Sequence, residues 1–175
     1  MQHTLLGIQA VDGQYWFALQ VKSRQERVSA AALRNRGYEE FLPLYQSRRR
    51  WSDRVKTLFL PLFPGYVFCR FAPSQRSRVL DTAGVFAVVC TGRIPAPIDE
   101  AEIAALQTIV RARAAAEPWP FLNVGAHVRI AEGPLRGLNG ILVQTKQEQR
   151  IVLSVSLLQR SVAVEVDRAW IERAA

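Results

Sequence analysis

The residues that could do acid–base, nucleophilic or metal chemistry in this chain are few and scattered. Its two histidines are His3, close to the start, and His127, at the edge of a predicted strand just behind a turn, where a lone imidazole reads as a surface group. Cys69 and Cys90 both lie in apolar, strand-like surroundings and read as reduced core residues. No Cys-x-x-Cys or His-Glu-x-x-His spacing could hold a metal, and no Walker-type or dinucleotide-type glycine loop precedes a helix. Asp99, Glu100 and Glu102 form an acidic cluster, but it falls in the first turn of a predicted helix, where carboxylates favour the positive end of the dipole. The expectation is a protein that binds rather than catalyses, with no metal and no cofactor.

Two other groupings carry more information. The first is Arg48-Arg49-Arg50-Trp51-Ser52-Asp53-Arg54-Val55-Lys56, two basic arms about a plausible Ser52-Asp53 turn. Cations interleaved with a Trp grip phosphates and stack on a base, although a Trp in such a loop is also able to lie over a sheet. Arg24, Arg27 and Arg34 add a basic helix face that either solvates the surface or meets phosphates beside that loop. The second grouping runs from residue 58 to residue 71, Leu-Phe-Leu-Pro-Leu-Phe-Pro-Gly-Tyr-Val-Phe-Cys-Arg-Phe. Pro61 and Pro64 forbid a continuous helix, and Pro64-Gly65 launches an aromatic, β-branched strand over residues 66–71. Tyr66, Phe68 and Arg70 take one face of it, and Val67, Cys69 and Phe71 the other. Either both faces are buried or one of them docks a partner.

The elements that must position these groups follow in order. Residues 15–22 read as a strand, and residues from Ser23 to about Arg36 as a helix closed by Gly37. Residues 38–45 read as a short strand that Pro43 confines to an edge or a bulge. A helix over 72–81, a strand over 85–90 and a helix started by Pro95-Ala96-Pro97 and Asp99 and running to about Arg113, with Ile98, Ile103, Leu106 and Ile109-Val110 on its buried stripe, complete a β-α-β-β-α-β-α order. Residues 1–13 are expected to be a flexible extension, 14–112 an antiparallel sheet flanked by helices, and 113–123, with Pro118 and Pro120, a linker. Residues 124–175 change texture to short alternating strands between glycines, a small β-barrel. The whole is an α+β chain.

Bulk properties agree with a binding role. With 49% apolar residues the chain can bury a core, and a formal charge of +8 with a pI near 10.3 favours a polyanionic neighbour. No apolar run approaches the roughly 18 residues that span a bilayer, and residues 1–13 lack the pattern of a secretory signal. A cytoplasmic monomer that does not engage a membrane is expected.

Two motifs, in order, resemble a known family. Trp16-Phe17, Glu26, Leu33, Gly37, Phe41-Leu42-Pro43 and above all Phe63-Pro64-Gly65-Tyr66-Val67-Phe68 resemble the N-terminal (NGN) domain of NusG-type transcription elongation factors. Gly125-x-x-Val128-x-Ile130, with Gly133-Pro134, Gly137 and Gly140, resembles the KOW motif of that family's C-terminal barrel. Pro61-Leu62-Phe63-Pro64 before a Tyr-x-Phe strand is similar to the specialised, RfaH-like antiterminators of polysaccharide operons. Ala126 and Leu135 stand where the family motif usually has an Asp and an aromatic, which leaves the barrel's partner contacts less defined. The resemblance implies that the N-terminal domain docks on the clamp helices of the largest subunit of bacterial RNA polymerase. Phe63, Tyr66 and Phe68 would face the clamp, supported by Trp16 and Phe17. Ser77 and Arg78 would lie near the opposite lobe, although the His-Thr-Thr of RfaH-like proteins is missing. Arg24, Arg27, Arg48, Arg49, Arg50, Trp51 and Arg54 would meet non-template DNA or nascent RNA, and the barrel would recruit a ribosomal protein or Rho. The implied activity is suppression of pausing and termination. The alternative is a ribosome-associated or RNA-binding KOW protein.

Overall fold

A computed structural model of the chain describes residues 13–51, 54–120, 125–144, 149–155 and 158–174. The expected extension over 1–13 thus lies almost wholly outside the described residues. In order the elements are β1 (Tyr15–Val21), α1 (Glu26–Asn35), β2 (Glu39–Phe41), β3 (Leu44–Trp51), β4 (Arg54–Pro61), β5 (Tyr66–Phe71), α2 (Arg76–Leu80), β6 (Val85–Val88), β7 (Cys90–Thr91), β8 (Ile94–Pro95), β9 (Pro97–Ile98) and α3 (Glu100–Arg111). Then come β10 (Ala116–Pro120), β11 (His127–Ile130), β12 (Asn139–Gln144), β13 (Gln149–Val155), β14 (Arg160–Glu165) and β15 (Ile171–Arg173).

The N-terminal sheet has the antiparallel order β2-β5-β1-β6, with β9 also pairing with β1. The register Trp16↔Arg70, Ala18↔Phe68, Gln20↔Tyr66 puts those residues on one face, and leaves Phe17, Leu19 and Val21 with Val67, Cys69 and Phe71 on the other. The second face packs under α1 and α2 through Ala30, Leu33 and Val79, and all of these side chains are buried. On the first face Trp16, Ala18 and Phe68 join Leu62, Phe63 and the α3 stripe Ile103, Leu106 and Ile109 in a separate cluster.

Local chemistry sets the boundaries. The first helix starts at Glu26 rather than Ser23, because Arg24 has φ +64, incompatible with a right-handed helix. It ends as expected at Gly37, φ +85, where the amides of Gly37 and Tyr38 donate to the carbonyls of Arg34 and Leu33. Pro43 breaks the strand expected over 38–45 into β2 and β3. In α3 the Asp99 carboxylate accepts from the Ala101 amide at 2.8 Å, and Glu100 pairs with Arg70, so this acidic cluster caps and clasps.

The C-terminal sheet has the order β10-β14-β13-β12-β11-β15. The motif glycines here serve the backbone. A Cβ on Gly140 would meet Ile151 at 2.3 Å, while Gly133, φ +78, lies under the Trp170 ring. Val128 and Leu135 are buried, so Leu135 fills core in place of the family aromatic. Residues 116–120, expected as linker, instead form β10 and pair antiparallel with β14 from Ala116↔Val164 to Pro120↔Arg160. Among the described residues no helix is long and apolar enough to cross a membrane.

Candidate functional site

The Pro64-Gly65 turn is pinned from two sides. Gly65, φ +84, donates its amide to the Glu26 carboxylate at 2.9 Å, and its carbonyl accepts from the Val21 amide at 2.9 Å. Glu26 is buried, at 8% exposure, although it is charged and opens a helix rich in arginine. Its burial serves this bond, which ties α1 to the start of β5. The family motif includes Glu26 without giving it a role, yet helical spacing from Glu26 to Ala30, Leu33 and Gly37 already puts it on the inward stripe.

Beyond the turn, the predicted docking residues separate into two classes. Phe63 and Phe68 are 1% and 0% exposed, their rings edge-to-face at 5.5 Å, and Phe41 stacks on Phe68 at 6.1 Å. Trp16 is buried on the same face, with the Arg70 guanidinium 5.4 Å from its ring centroid. These three aromatics form the base of the face and do not present a free surface in this conformation, contrary to the expectation for Phe63, Phe68 and Trp16. Phe17 is on the wrong face altogether: strand alternation turns it toward α1 and α2, where it packs on Phe71 at 4.6 Å. Tyr66 alone stays half-buried, and its ring lies 5.7 Å from the guanidinium of Arg160 on β14.

That contact is one part of a wider closure. The apolar cluster under the Tyr66 face continues without a break into Ile151, Leu153 and Val162 of the C-terminal sheet and Leu158 between β13 and β14, and α3 packs on β13. The face expected to dock a partner is therefore occupied by the chain's own C-terminal domain. Sequence carries no signal for Arg160, which is remote along the chain from Tyr66.

The second candidate surface is the β3–β4 ribbon. Eight residue pairs, from Leu44↔Pro61 to Trp51↔Arg54, make it a two-stranded antiparallel hairpin outside the main sheet, where the sequence alone reads as a basic loop about a turn. Ser52 and Asp53 lie outside the described residues; Arg49, Arg50 and Trp51 are placed by backbone register alone. Arg48, Arg54 and Lys56 are exposed. So are Val55 and Phe59, two apolar residues of the ribbon that a sequence pattern does not single out, because an apolar strand suggests burial. Arg27 donates to the Phe59 carbonyl at 2.9 Å, so α1 braces the ribbon and brings its basic side to it. Arg24 is exposed in the turn before α1, whereas Arg34 is taken up by an ion pair with Glu40. Ser77 and Arg78 are exposed together on α2. Residues 14–112 hold 15 Lys and Arg against 8 Asp and Glu, so they contribute +7 of the net +8. A cleft of about 450 Å³ separates the ribbon base from the C-terminal sheet, bordered by Tyr45, Ser47, Arg48, Arg113, Arg150 and Glu165.

Cys69 is not poised for nucleophilic attack. Burial, reinforced by the charges of Glu40 and Glu39, pushes the Cys69 thiol up to about 12, so it stays protonated at neutral pH. Cys90 donates to the Val88 carbonyl at 3.2 Å. Among the described residues no group of three His, Cys, Asp or Glu side chains is arranged to hold a metal ion.

The family model described as "Transcription termination factor nusG" matches residues 14–107. The chain belongs to the NusG family. A NusG of Vibrio vulnificus is 30% identical over 145 residues, covering 77% of this chain and 74% of that protein. A Helicobacter pylori NusG is 23% identical over 180 residues, covering 90% and 97%. Both are named transcription termination/antitermination proteins. Among solved structures, one reporting domain interaction in Thermotoga maritima NusG has the same fold, with a TM-score of 0.57, 19% identity, and coverage of 93% of this chain and 98% of that one.

Proposed function

We propose that this NusG-family chain is a transcription elongation factor that docks on the clamp helices of RNA polymerase with the sheet face carrying Tyr66. The described form is then a closed one, with the docking face taken by the C-terminal domain. The observation that carries this reading is the position of Tyr66: the one aromatic of its motif left half-exposed, on a rigid aromatic base, covered by Arg160 from the other domain. An amphipathic ring over an apolar floor is the usual energetic centre of a protein interface.

Docking requires the C-terminal domain to leave, so polymerase and that domain compete for one surface. Once bound, the factor disfavours pausing and termination by holding the polymerase state to which it binds more tightly; differential affinity is all the effect needs. The ribbon, with Arg48, Arg54 and Lys56 exposed and α1 behind it, suits a displaced non-template strand or nascent RNA. The released C-terminal domain recruits a second partner, a ribosomal protein or Rho, at the raised local concentration that tethering provides.

The test is polymerase binding by Tyr66→Ala. Truncating a central aromatic anchor costs about 2 kcal/mol or more, roughly 30-fold in affinity. Phe63→Ala and Phe68→Ala would not serve, because their burial makes a folding defect and a docking defect inseparable. Unchanged affinity of the Tyr66 variant for core polymerase would sink the assignment.

A further inference from the structure

The connection between the two domains is also part of one of them. Glu165 donates its amide to the Ala115 carbonyl at 3.1 Å, and the pairing continues in the same register through Pro120. In an antiparallel ladder hydrogen-bonded and non-bonded pairs alternate. Glu117 and Trp119 therefore fall at bonded positions opposite Ala163 and Ser161, whereas Pro118 and Pro120 fall at non-bonded ones opposite Val162 and Arg160. The prolines lose no ladder bond, and they leave the outer side of β10 short of donors, which closes that edge to further strands. Side chains clasp the pair: Arg150 bonds Glu117, lies 3.5 Å from Glu165, and sits 5.8 Å from the Trp119 ring centroid.

Pairing of β10 also sets the leash between the domains. With it in place only residues 112–115 connect Arg111 to the sheet, a reach of about 14 Å when extended. With it released, the tether lengthens by at least the five residues of β10, about 17 Å of extended reach.

We propose that the β14 edge is a strand-accepting site which the chain fills with its own residues 116–120, and that an extended segment of a partner protein competes with β10 for it. The segment that fits runs antiparallel to β14 and keeps its amides at the bonded positions. It offers a carboxylate opposite Ala163 to meet Arg150, and an aromatic ring opposite Ser161. Occupation by a partner frees the leash and so favours the open form. The site lies wholly within the C-terminal sheet and does not depend on polymerase docking, although the longer tether would serve the docking proposed above.

The experiment uses the full chain with residues 116–120 replaced by Gly-Ser-Gly-Ser-Gly, and reads amide hydrogen exchange by NMR. The Ser161, Ala163 and Glu165 amides should exchange roughly tenfold faster or more, while the β12–β13 ladder stays protected. A free peptide of residues 114–121, added at millimolar concentration, should restore slow exchange at the same three amides. Unchanged exchange after the replacement, or fast exchange that the peptide leaves untouched, would overturn the proposal. Should the replaced chain fail to fold, a pair of point variants makes the same test. Glu117→Pro removes an inward donor and the carboxylate, and should speed those amides; Ala116→Pro removes only an outward amide and should leave them slow. Equal rates in the two would refute the assignment.

Discussion

Arg160→Ala is the perturbation that separates closure from docking. The guanidinium lies 5.7 Å from the Tyr66 ring centroid, and the Arg160 side chain is exposed. Exposed cation–π contacts are worth about 0.5–1 kcal/mol, against about 2 when desolvated, so the lower range applies. At that size the ratio of open to closed chain rises about 2- to 5-fold when the arginine is removed. If only the open form binds polymerase, the apparent dissociation constant scales inversely with the open fraction, so binding should tighten by the same factor. Arg160 lies opposite Pro120 at a non-bonded position of the β10–β14 ladder, and truncation at Cβ leaves its backbone in place. Titration of a fluorescently labelled full chain with core polymerase measures the effect, and a donor–acceptor pair across the two domains reports opening. Tyr66→Ala, made alone and with Arg160→Ala, should weaken binding in both backgrounds. Domain opening in the Arg160 variant with unchanged or weaker polymerase binding would refute the idea that the two partners share one face.

Three further outcomes follow from the geometry. Phe68→Ala empties a site at 0% exposure between Phe63 and Phe41, and should destabilise the chain by about 3–5 kcal/mol in denaturant melts; a change under about 1 kcal/mol would mean the aromatic base is not packed as described. Changing Arg48, Arg54 and Lys56 to Gln should weaken single-stranded DNA binding and flatten the log–log salt slope by about 0.7 for each phosphate no longer neutralised, and an unaltered slope would remove the ribbon from the interface. Cys69 should resist thiol reagents at pH 8 in the folded chain. Because the folded state keeps a proton that the unfolded thiol releases, stability should fall from about pH 9 toward pH 12, by up to about 1.4 kcal/mol per pH unit, and Cys69→Ala should abolish that component.

Local chemistry makes much of this fold legible from sequence. The faces of β5 follow from alternation and the end of α1 from Gly37, whereas the β3–β4 ribbon reads from sequence only as a basic loop about a turn. Alternation also separates Tyr66 and Phe68 from Val67, Cys69 and Phe71 correctly. It does not say what covers the first face, because the covering residues come from α3 and from β13 and β14, joined by no local pattern. Phe63 and Phe68 are therefore expected at the surface and lie in the core, and the same alternation applied to β1 excludes Phe17. Pro118 and Pro120 read as linker because proline opposes sheet. Their spacing of two is also what an edge strand needs to keep every inward amide, a meaning that emerges only once β14 lies alongside. Arg160 carries no mark at all, since its role depends on a ring far away along the chain.

On the proposed docking, the face bearing Tyr66 would answer to two occupants, the C-terminal domain seen on it and a polymerase outside the molecule, whose demands need not coincide. Substitutions at Tyr66 or its aromatic base would then alter both associations together, so a change that suits one constrains the other. Arg160 touches this face from the C-terminal domain and is not part of it. If polymerase docks on this face as proposed, substitution of Arg160 would reset the balance between closed and open chain without altering the docking surface itself, so the threshold for binding could be tuned from the C-terminal domain alone.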